Sequence, residues 1–257
     1  MSQTLKFLGR GSAFNKSEVN NCAYFKKGSV LVVIDCGNGV LNAIKRSGIM
    51  KGVKKVYQIV THFHDDHVAD LPAFFDYCND ELKIKPNLLN TISLEGSKVE
   101  KLGLKEGRDF NFVEPLSKNF KWVNVLLVPH AKNMDTIALE INFNNKKIFY
   151  SSDCSNIPFD IPNYDEYYLD CSESGNKLHM DINKVKEIIK KNKIKKQQVF
   201  LMHIESQRTL EIAREEGLKV VEPVVSPERN KIQNIKKELK VERSKEIKNT
   251  KDKEQGK

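Results

Sequence analysis

The sequence has few of the features that mark a secreted, membrane-spanning or disulfide-bonded protein. No apolar run approaches the ~18 residues that a membrane-spanning helix needs. The N-terminal residues 1–8 lack the apolar core and cleavage site of a signal peptide, so we expect Met1 to be the mature start. The five cysteines are odd in number and form no C-x-x-C pair. We therefore expect reduced thiols, a cytoplasmic location and no membrane partner.

Arginine is scarce, since only 7 of the 43 basic residues are arginine, and the net charge of +9 is unevenly spread. Residues 227–257 contain 11 Lys/Arg and 6 Asp/Glu, which leaves +4 for the preceding 226 residues. The basic composition is therefore weak evidence for a nucleic-acid partner. We divide the chain into a folded domain, residues 1–226, and a Lys-rich tail, residues 227–257. The tail lacks a core-facing apolar stripe, which predicts a frayed helix or disorder.

Apolar and β-branched runs predict strands, and amphipathic segments between several of them predict helices, so the chain is of the α/β class. The predicted strands are 5–8, 22–25, 30–34, 56–60, 120–128, 136–141, 147–150, 167–169 and 199–202. The predicted helices are 40–47, 68–77, 182–191 and 208–215, and residues 86–104 hold a further strand and helix. Lys26–Ser29 and the pair Asn144-Asn145 predict hairpin turns.

A cluster of metal-ligand residues follows the predicted strand 56–60. The segment Thr61–His67 reads His-x-His-x-Asp-His and holds three of the six histidines of the chain. Imidazoles and carboxylates at this spacing are typical ligands of Zn²⁺ or Mn²⁺. A solvated polar loop would not concentrate histidines in this way. The pattern therefore predicts a divalent metal site on a loop that leaves a buried strand.

Three further ligand-type residues stand at the ends of other predicted strands, namely His130, Asp153 and His203. For either histidine alone, a hydrogen-bonded structural role is the commoner case. Their joint occurrence at strand ends favours metal binding. Seven ligands suit two ions. We assign His62, His64 and His130 to one ion and Asp66, His67 and His203 to the other, with Asp153 as the bridge.

These motifs resemble those of the metallo-β-lactamase superfamily over roughly residues 5–225. The resemblance implies an αββα sandwich of two mixed β-sheets packed face to face with helices outside. It also implies that Asp35 orients the metal loop instead of binding metal. The start Gly9-Arg10-Gly11-Ser12-Ala13 is similar to that of the ribonuclease Z-like phosphodiesterases, and most lactamases and lactonases lack it.

The same resemblance implies that Asp66 and His179 are catalytic residues, with His179 donating a proton to the leaving oxygen. Without the resemblance, His179 reads as a surface histidine on a polar loop. Related enzymes often have glutamate where this chain has Asp170, which leaves the partner of His179 open.

The short connection between His130 and Asp153, 22 residues, has no room for a long tRNA-gripping arm. Together with the segments 11–15, 21–25 and 34–37, it makes the chain similar to the phage and bacterial anti-Pycsar enzymes. This resemblance implies a homodimeric phosphodiesterase of 3′,5′-cyclic mononucleotides (cCMP, cUMP, cAMP, cGMP) that silences an antiphage signal, in the host cytoplasm if the chain is phage-encoded. The open alternatives are an RNA-processing nuclease, a lactonase and a nucleotide-binding sponge.

We predict that the tail is dispensable, because it has no pattern of apolar residues that a core could bury. Truncation before Asn230 should leave the melting temperature and the turnover rate nearly unchanged. Thermal unfolding and steady-state kinetics of the full and shortened chains test this. A large loss of either quantity would show that the tail docks on the body or on a second subunit.

Overall fold

Two mixed β-sheets of six strands each form the centre of the protein, as shown by a computed structural model that describes residues 3–92, 96–117, 120–161 and 163–225. The first sheet has the order β1-β2-β3-β4-β5-β6, with β1 Lys6–Gly9, β2 Cys22–Lys27, β3 Val30–Ile34, β4 Lys55–Ile59, β5 Asn87–Leu89 and β6 Asn111–Val113. The second has the order β12-β11-β10-β9-β8-β7, with β7 Val123–Val128, β8 Thr136–Phe143, β9 Lys146–Tyr150, β10 Glu166–Asp170, β11 Val199–Met202 and β12 Lys219–Val220.

Helices cover the outer face of each sheet. They are α1 Val40–Ser47, α2 Asp65–Val68, α3 Leu71–Asp76, α4 Gly96–Lys101, α5 Ile182–Lys191 and α6 Gln207–Glu215. A π-helical turn, Tyr77–Glu81, extends α3, and a 3₁₀ turn, Lys196–Gln198, precedes β11. None of the helices in the described ranges has the length and apolar composition of a membrane span.

The alternation of side chains along the strands explains why the protein has four layers. In β3, Leu31 and Val33 pack toward α1 and α3, whereas Val32 and Ile34 pack into the seam between the two sheets. Successive strand residues point to opposite faces, so a strand that is apolar at every position needs cover on both sides. The second sheet is covered in the same way by α5 and α6. The result is the predicted αββα sandwich.

The structure corrects several predicted boundaries. The predicted helix 68–77 is interrupted after its first residue. Val68 is the last residue of α2, and α3 begins at Leu71 with Pro72 in its first turn. Strand β7 begins at Val123 instead of residue 120, since Phe120 forms an isolated bridge with Ser117 and does not pair with β8. The short strands β6 and β12 were not predicted. The Lys-rich tail, 227–257, lies outside the described residues, as does Ser226.

Parallel strands bring the ligand-type residues to one edge of the sandwich. Strands β3 and β4 are parallel, and β9, β10 and β11 are parallel to one another. Strand β7 runs in the same direction as β9, because each is antiparallel to β8. The residues that follow these strands therefore meet at neighbouring carboxyl ends, where loops can accommodate polar groups.

Gly37, just after β3, allows the backbone to approach the loop that follows β4. A Cβ atom at Gly37 would lie 1.7 Å from the carbonyl oxygen of Asp66, which is far inside van der Waals contact. The neighbouring Cys36 N–H donates a hydrogen bond to the carbonyl oxygen of His67 at 2.7 Å. The β3 end thus fixes the backbone of α2, which carries two of the predicted ligands.

We predict that Gly37→Ala lowers the stability and also disturbs the site, because the added methyl group must displace the backbone of Asp66. Overpacking of this kind costs about 3 kcal/mol, which corresponds to a fall of roughly 10 °C in melting temperature for a domain of this size. Thermal unfolding and bound-metal analysis are the measurements.

The matched control is Gly28→Asn in the β2–β3 turn. A Cβ atom at Gly28 meets nothing within 4 Å, and asparagine tolerates its φ of +58°. This variant should unfold near the parental temperature. If both variants unfold at the same temperature and bind the same amount of metal, the close backbone approach at Gly37 does not control the site.

Candidate metal centre

The first group of predicted ligands consists of three imidazoles whose ring nitrogens converge. His64 Nδ1 lies 3.1 Å from His62 Nε2 and 3.1 Å from His130 Nε2. His62 and His64 leave β4 on the same loop, and His130 follows β7 in the other sheet. Nitrogen ligands 2.0–2.1 Å from a tetrahedral zinc ion are about 3.3 Å apart. The spacing therefore fits one divalent ion held from both sheets.

The second group contains two carboxylates and two imidazoles, all buried, namely Asp66, His67, Asp153 and His203. His203 Nε2 lies 3.1 Å from Asp66 Oδ2 and 3.2 Å from Asp153 Oδ2. His67 Nε2 lies 3.2 Å from Asp153 Oδ2 and 3.4 Å from Asp66 Oδ2. A mixed set of nitrogen and oxygen ligands at this spacing suits a borderline divalent ion.

Asp153 stands between the two groups. Its Oδ2 atom, already close to His67 and His203, is also 3.7 Å from His62 Nε2 and 4.0 Å from His130 Nε2. A single carboxylate thus faces ligands of both groups. This is the position that the predicted bridging role requires.

Three of the buried histidines of the cluster are held by the ring nitrogen that faces away from the converging ligand atoms. Nδ1 of His67 is 2.9 Å from Asp35 Oδ2, and Nδ1 of His130 is 2.8 Å from the carbonyl oxygen of Leu178. Nδ1 of His62 is 3.2 Å from Thr61 Oγ1. Such partners fix the ring orientation and direct Nε2 toward a metal. Asp35 is fully buried and also accepts hydrogen bonds from the backbone and hydroxyl of Thr61, so it orients the loop and is not among the converging ligand atoms.

The electrostatics of the cluster favour ionised carboxylates. Burial by itself raises the pKa of Asp153, but the neighbouring His203 and His67 lower it well below the usual range of aspartate. Burial lowers the pKa of His203, yet the charge of Asp153 and the hydrogen bonds that the ring nitrogens donate to Asp170 and Asp66 raise it to about 10. The carboxylates therefore favour positive charge at His203, which a divalent cation bound by these residues would provide.

Unsatisfied polar atoms provide a further test of whether these residues fit a metal. His67 Nε2 and Asp153 Oδ1 are buried and make no aligned hydrogen bond, although both residues lie within the cluster. Buried polar atoms without partners are rare in folded proteins and call for a ligand. Together with the converging nitrogens, they show that the cluster fits divalent metal ions.

His179 lies beside the cluster on the loop before α5. Its Nδ1 is 3.0 Å from Asp170 Oδ2 and 4.0 Å from Asp153 Oδ2. Asp170, the last residue of β10, also places its Oδ1 atom 3.4 Å from His203 Nδ1. Burial lowers the pKa of His179, but the hydrogen bond with Asp170 raises it overall. The partner of His179 that the sequence left open is thus Asp170, which contacts a predicted metal ligand as well.

Other residues of the site had little or no sequence signal. Thr61 and Leu178 hold histidines by a hydroxyl and a carbonyl oxygen, so residue type alone does not identify them. A cavity of about 580 Å³ opens beside the cluster and also has Phe14 in its lining. The other residues that line the cavity come from segments that are far apart in the sequence.

Several solved structures share this fold. The metallo-β-lactamase fold protein YhfI from Bacillus subtilis superposes with a TM-score of 0.67 at 16% identity, covering 84% of this chain and 94% of YhfI. A diphosphatase of the PhnP family gives 0.64 at 17% identity, covering 85% and 94%. The short form of human tRNase Z gives 0.60 at 15% identity, covering 86% and 97%. The protein therefore has the metallo-β-lactamase fold that its motifs predict.

Sequence relatives narrow the assignment within this fold. The chain is 35% identical over 75 residues to an anti-Pycsar protein Apyc1 from Paenibacillus xerothermodurans, an alignment that covers 29% of each protein. It is 38% identical over 72 residues to a second one from Paenibacillus sp. (strain J14), covering 28% of this chain and 29% of the relative. The family model described as anti-Pycsar protein Apyc1 matches residues 3–224. Because that match spans most of the sequence, the protein belongs to the anti-Pycsar Apyc1 family.

Proposed function

We propose that the protein is a two-metal phosphodiesterase that hydrolyses 3′,5′-cyclic mononucleotides to nucleoside monophosphates. The observation that carries this proposal is the pair of ligand groups joined by Asp153, with His179 adjacent. Family membership supports the substrate class. The ions, Zn²⁺ or Mn²⁺, would be held by His62, His64, His130, Asp66, His67, His203 and Asp153. When bound, they neutralise charge on the phosphodiester and activate water as the nucleophile.

The residues of the chain itself provide orientation and proton transfer. Asp66, next to His203, would help hold the metal ion that positions the phosphodiester for attack. His179 donates a proton to the ribose oxygen that leaves phosphorus when the phosphodiester bond breaks. Asp170 engages Nδ1 of His179, so the proton that is donated resides on Nε2. A general acid of this kind typically accelerates the reaction by ~10²–10⁴-fold.

We further propose that the protein acts in the cytoplasm, that of the host if the chain is phage-encoded, where it would silence a cyclic-nucleotide defence signal. A homodimer is the proposed assembly. Both statements follow from the family resemblance. Chromatography with light scattering tests the assembly directly.

The substrate assignment is tested with purified protein, Mn²⁺ or Zn²⁺, a panel of cyclic nucleotides and a pre-tRNA, with products separated by chromatography. We expect hydrolysis of purine and pyrimidine cyclic nucleotides and little trimming of pre-tRNA, because the His130–Asp153 connection is short. Efficient 3′ trimming with cyclic nucleotides untouched would instead favour an RNA-processing nuclease. Lactone hydrolysis without phosphodiester cleavage would favour a lactonase, and tight binding without turnover a sponge.

We predict close to two divalent ions per chain in protein purified without chelator. Asp153→Ala should reduce the occupancy of both sites, because one carboxylate oxygen faces both ligand groups. Elemental analysis by mass spectrometry is the measurement. Asp109→Ala is the control, since that carboxylate binds Arg108 and the Lys105 backbone. A single ion in the parental protein, or loss of only one ion in Asp153→Ala, contradicts the bridging assignment.

We predict that His179→Ala keeps two metals but loses turnover of cyclic nucleotides by ~10²–10⁴-fold, as expected for a lost general acid. The loss should shrink for a p-nitrophenyl phosphodiester, whose leaving group departs without protonation. Metal analysis and kinetics on both substrates are the measurements. His203→Ala serves as the contrast and should lose metal and activity on every substrate. Parental turnover in His179→Ala would mean that the proton comes from solvent or from another residue.

A further inference from the structure

The cavity beside the metal cluster is larger than the space that metal ions alone would occupy. Its volume of about 580 Å³ lies within the ~300–1,000 Å³ typical of small-molecule sites. Cluster residues form one part of its lining. The loop after β1 contributes Ser12, Ala13 and Phe14, and the loop before α5 contributes Leu178. A ligand whose phosphate lies at the cluster therefore meets an apolar surface from these two loops.

Charge in the cavity does not explain how the rest of a nucleotide is bound. Apart from histidines, the charged residues of the lining are Asp65, Asp66, Asp153 and Glu205, and neither lysine nor arginine lines the cavity within the described part of the chain. Carboxylates do not attract an anionic substrate, so phosphate affinity depends on the metals. Affinity for the base and ribose has to come from uncharged contacts.

Phe14 is the most exposed of the large apolar side chains in the described part of the chain. It is 90% exposed, against 51–56% for Ile92, Leu116 and Leu127. Those three residues are not in the cavity lining, whereas Phe14 is. Its ring is therefore an open aromatic surface next to the reacting centre.

The backbone around Phe14 is fixed to the segment that carries His203. Ser12 N–H donates a hydrogen bond to the carbonyl oxygen of Ile204 at 3.0 Å, and Asn15 Nδ2 donates to the same oxygen at 2.8 Å. Asn15 N–H donates to the carbonyl oxygen of Ser12 at 3.2 Å, which closes the turn beneath Phe14. The turn that carries Phe14 is thus bound to Ile204, the residue after the predicted ligand His203, and this preorganised backbone limits the entropy lost on binding.

We propose that Phe14 is the stacking surface for the nucleobase of the cyclic nucleotide, an inference that rests on the proposed function. A base has a π-face whatever its hydrogen-bonding edge, so stacking on one aromatic ring tolerates purines and pyrimidines alike. The substrate then lies with its cyclic phosphate at the metal cluster and its base on Phe14. This residue contributes to ground-state and transition-state binding equally.

The test compares Phe14→Ala with the parental protein on cAMP, cCMP and an abasic analogue, methyl riboside 3′,5′-cyclic phosphate. Loss of stacking should raise KM for both nucleotides by about 10-fold, with kcat little changed, as expected when uniform binding is removed. KM for the abasic analogue should stay the same. Phe14→Tyr should restore nucleotide KM, because the aromatic face returns. Leu116→Ala, an exposed apolar residue outside the cavity lining, should match the parental protein throughout.

Calorimetric titration with the same nucleotides measures binding with little hydrolysis when it is done in the His179→Ala background, which should keep both metals but turn over slowly. Phe14→Ala is compared with Phe14 in that background. An approximately 10-fold weaker affinity of Phe14→Ala for nucleotides, with abasic affinity unchanged, supports the stacking role. Unchanged nucleotide affinity overturns it. An equal loss of affinity for the abasic analogue also overturns it, because Phe14 would then support the fold. A changed mass of the assembly by light scattering overturns it as well, because Phe14 would then form a subunit contact. Failure of the parental protein to hydrolyse any cyclic nucleotide refutes the proposed function separately, and the titration still decides the role of Phe14.

Discussion

The packing of buried carboxylates against buried imidazoles in the seam between two sheets is the constraint on which the rest of the site depends. All six histidines of the chain lie at this one edge, together with the buried carboxylates of Asp35, Asp66, Asp153 and Asp170. Buried charge is costly unless it is paired. The neighbouring carboxylates raise the pKa of His67 and His203, and a divalent cation held by these residues would provide the balancing positive charge instead of protons. Asp153 is central because its Oδ2 atom faces both ligand groups.

Two aspartates, one at a strand end in each sheet, orient histidines of the metal cluster in the same way. Asp35, after β3 of the first sheet, contacts Nδ1 of His67. Asp170, at the end of β10 of the second sheet, contacts Nδ1 of both His179 and His203. His67 and His203 consequently present Nε2 to the cluster, as partners of this kind set the tautomer. Asp170 also couples the proposed proton donor to a ligand, so a change at this residue would affect both functions.

Backbone conformation at the strand ends contributes to the same arrangement. Asp35, Ser152 and His203 have positive φ angles of 63°, 55° and 56°, although none is glycine. Left-handed conformations of this kind cost about 1–3 kcal/mol each and persist where the surrounding structure enforces them. All three lie at or beside a site residue immediately after a buried strand. The stable sheets therefore compensate for strain that places Asp35, Asp153 and His203 at the cluster.

The sequence by itself determined which residues are candidate metal ligands and which segments form most of the sheets. The His-x-His-x-Asp-His segment, the strand-end positions of His130 and His203, and the apolar run that forms β3 depend on residue type and local spacing, so they can be recognised in the sequence alone. Only the tertiary structure decided the distances between Asp153 and the two ligand groups, and the double contact of Asp170 with His179 and His203. It also placed Phe14 beside the cluster and paired the short strands β6 and β12. These features depend on contacts between residues that are far apart in the chain, and no local pattern of residues encodes such contacts.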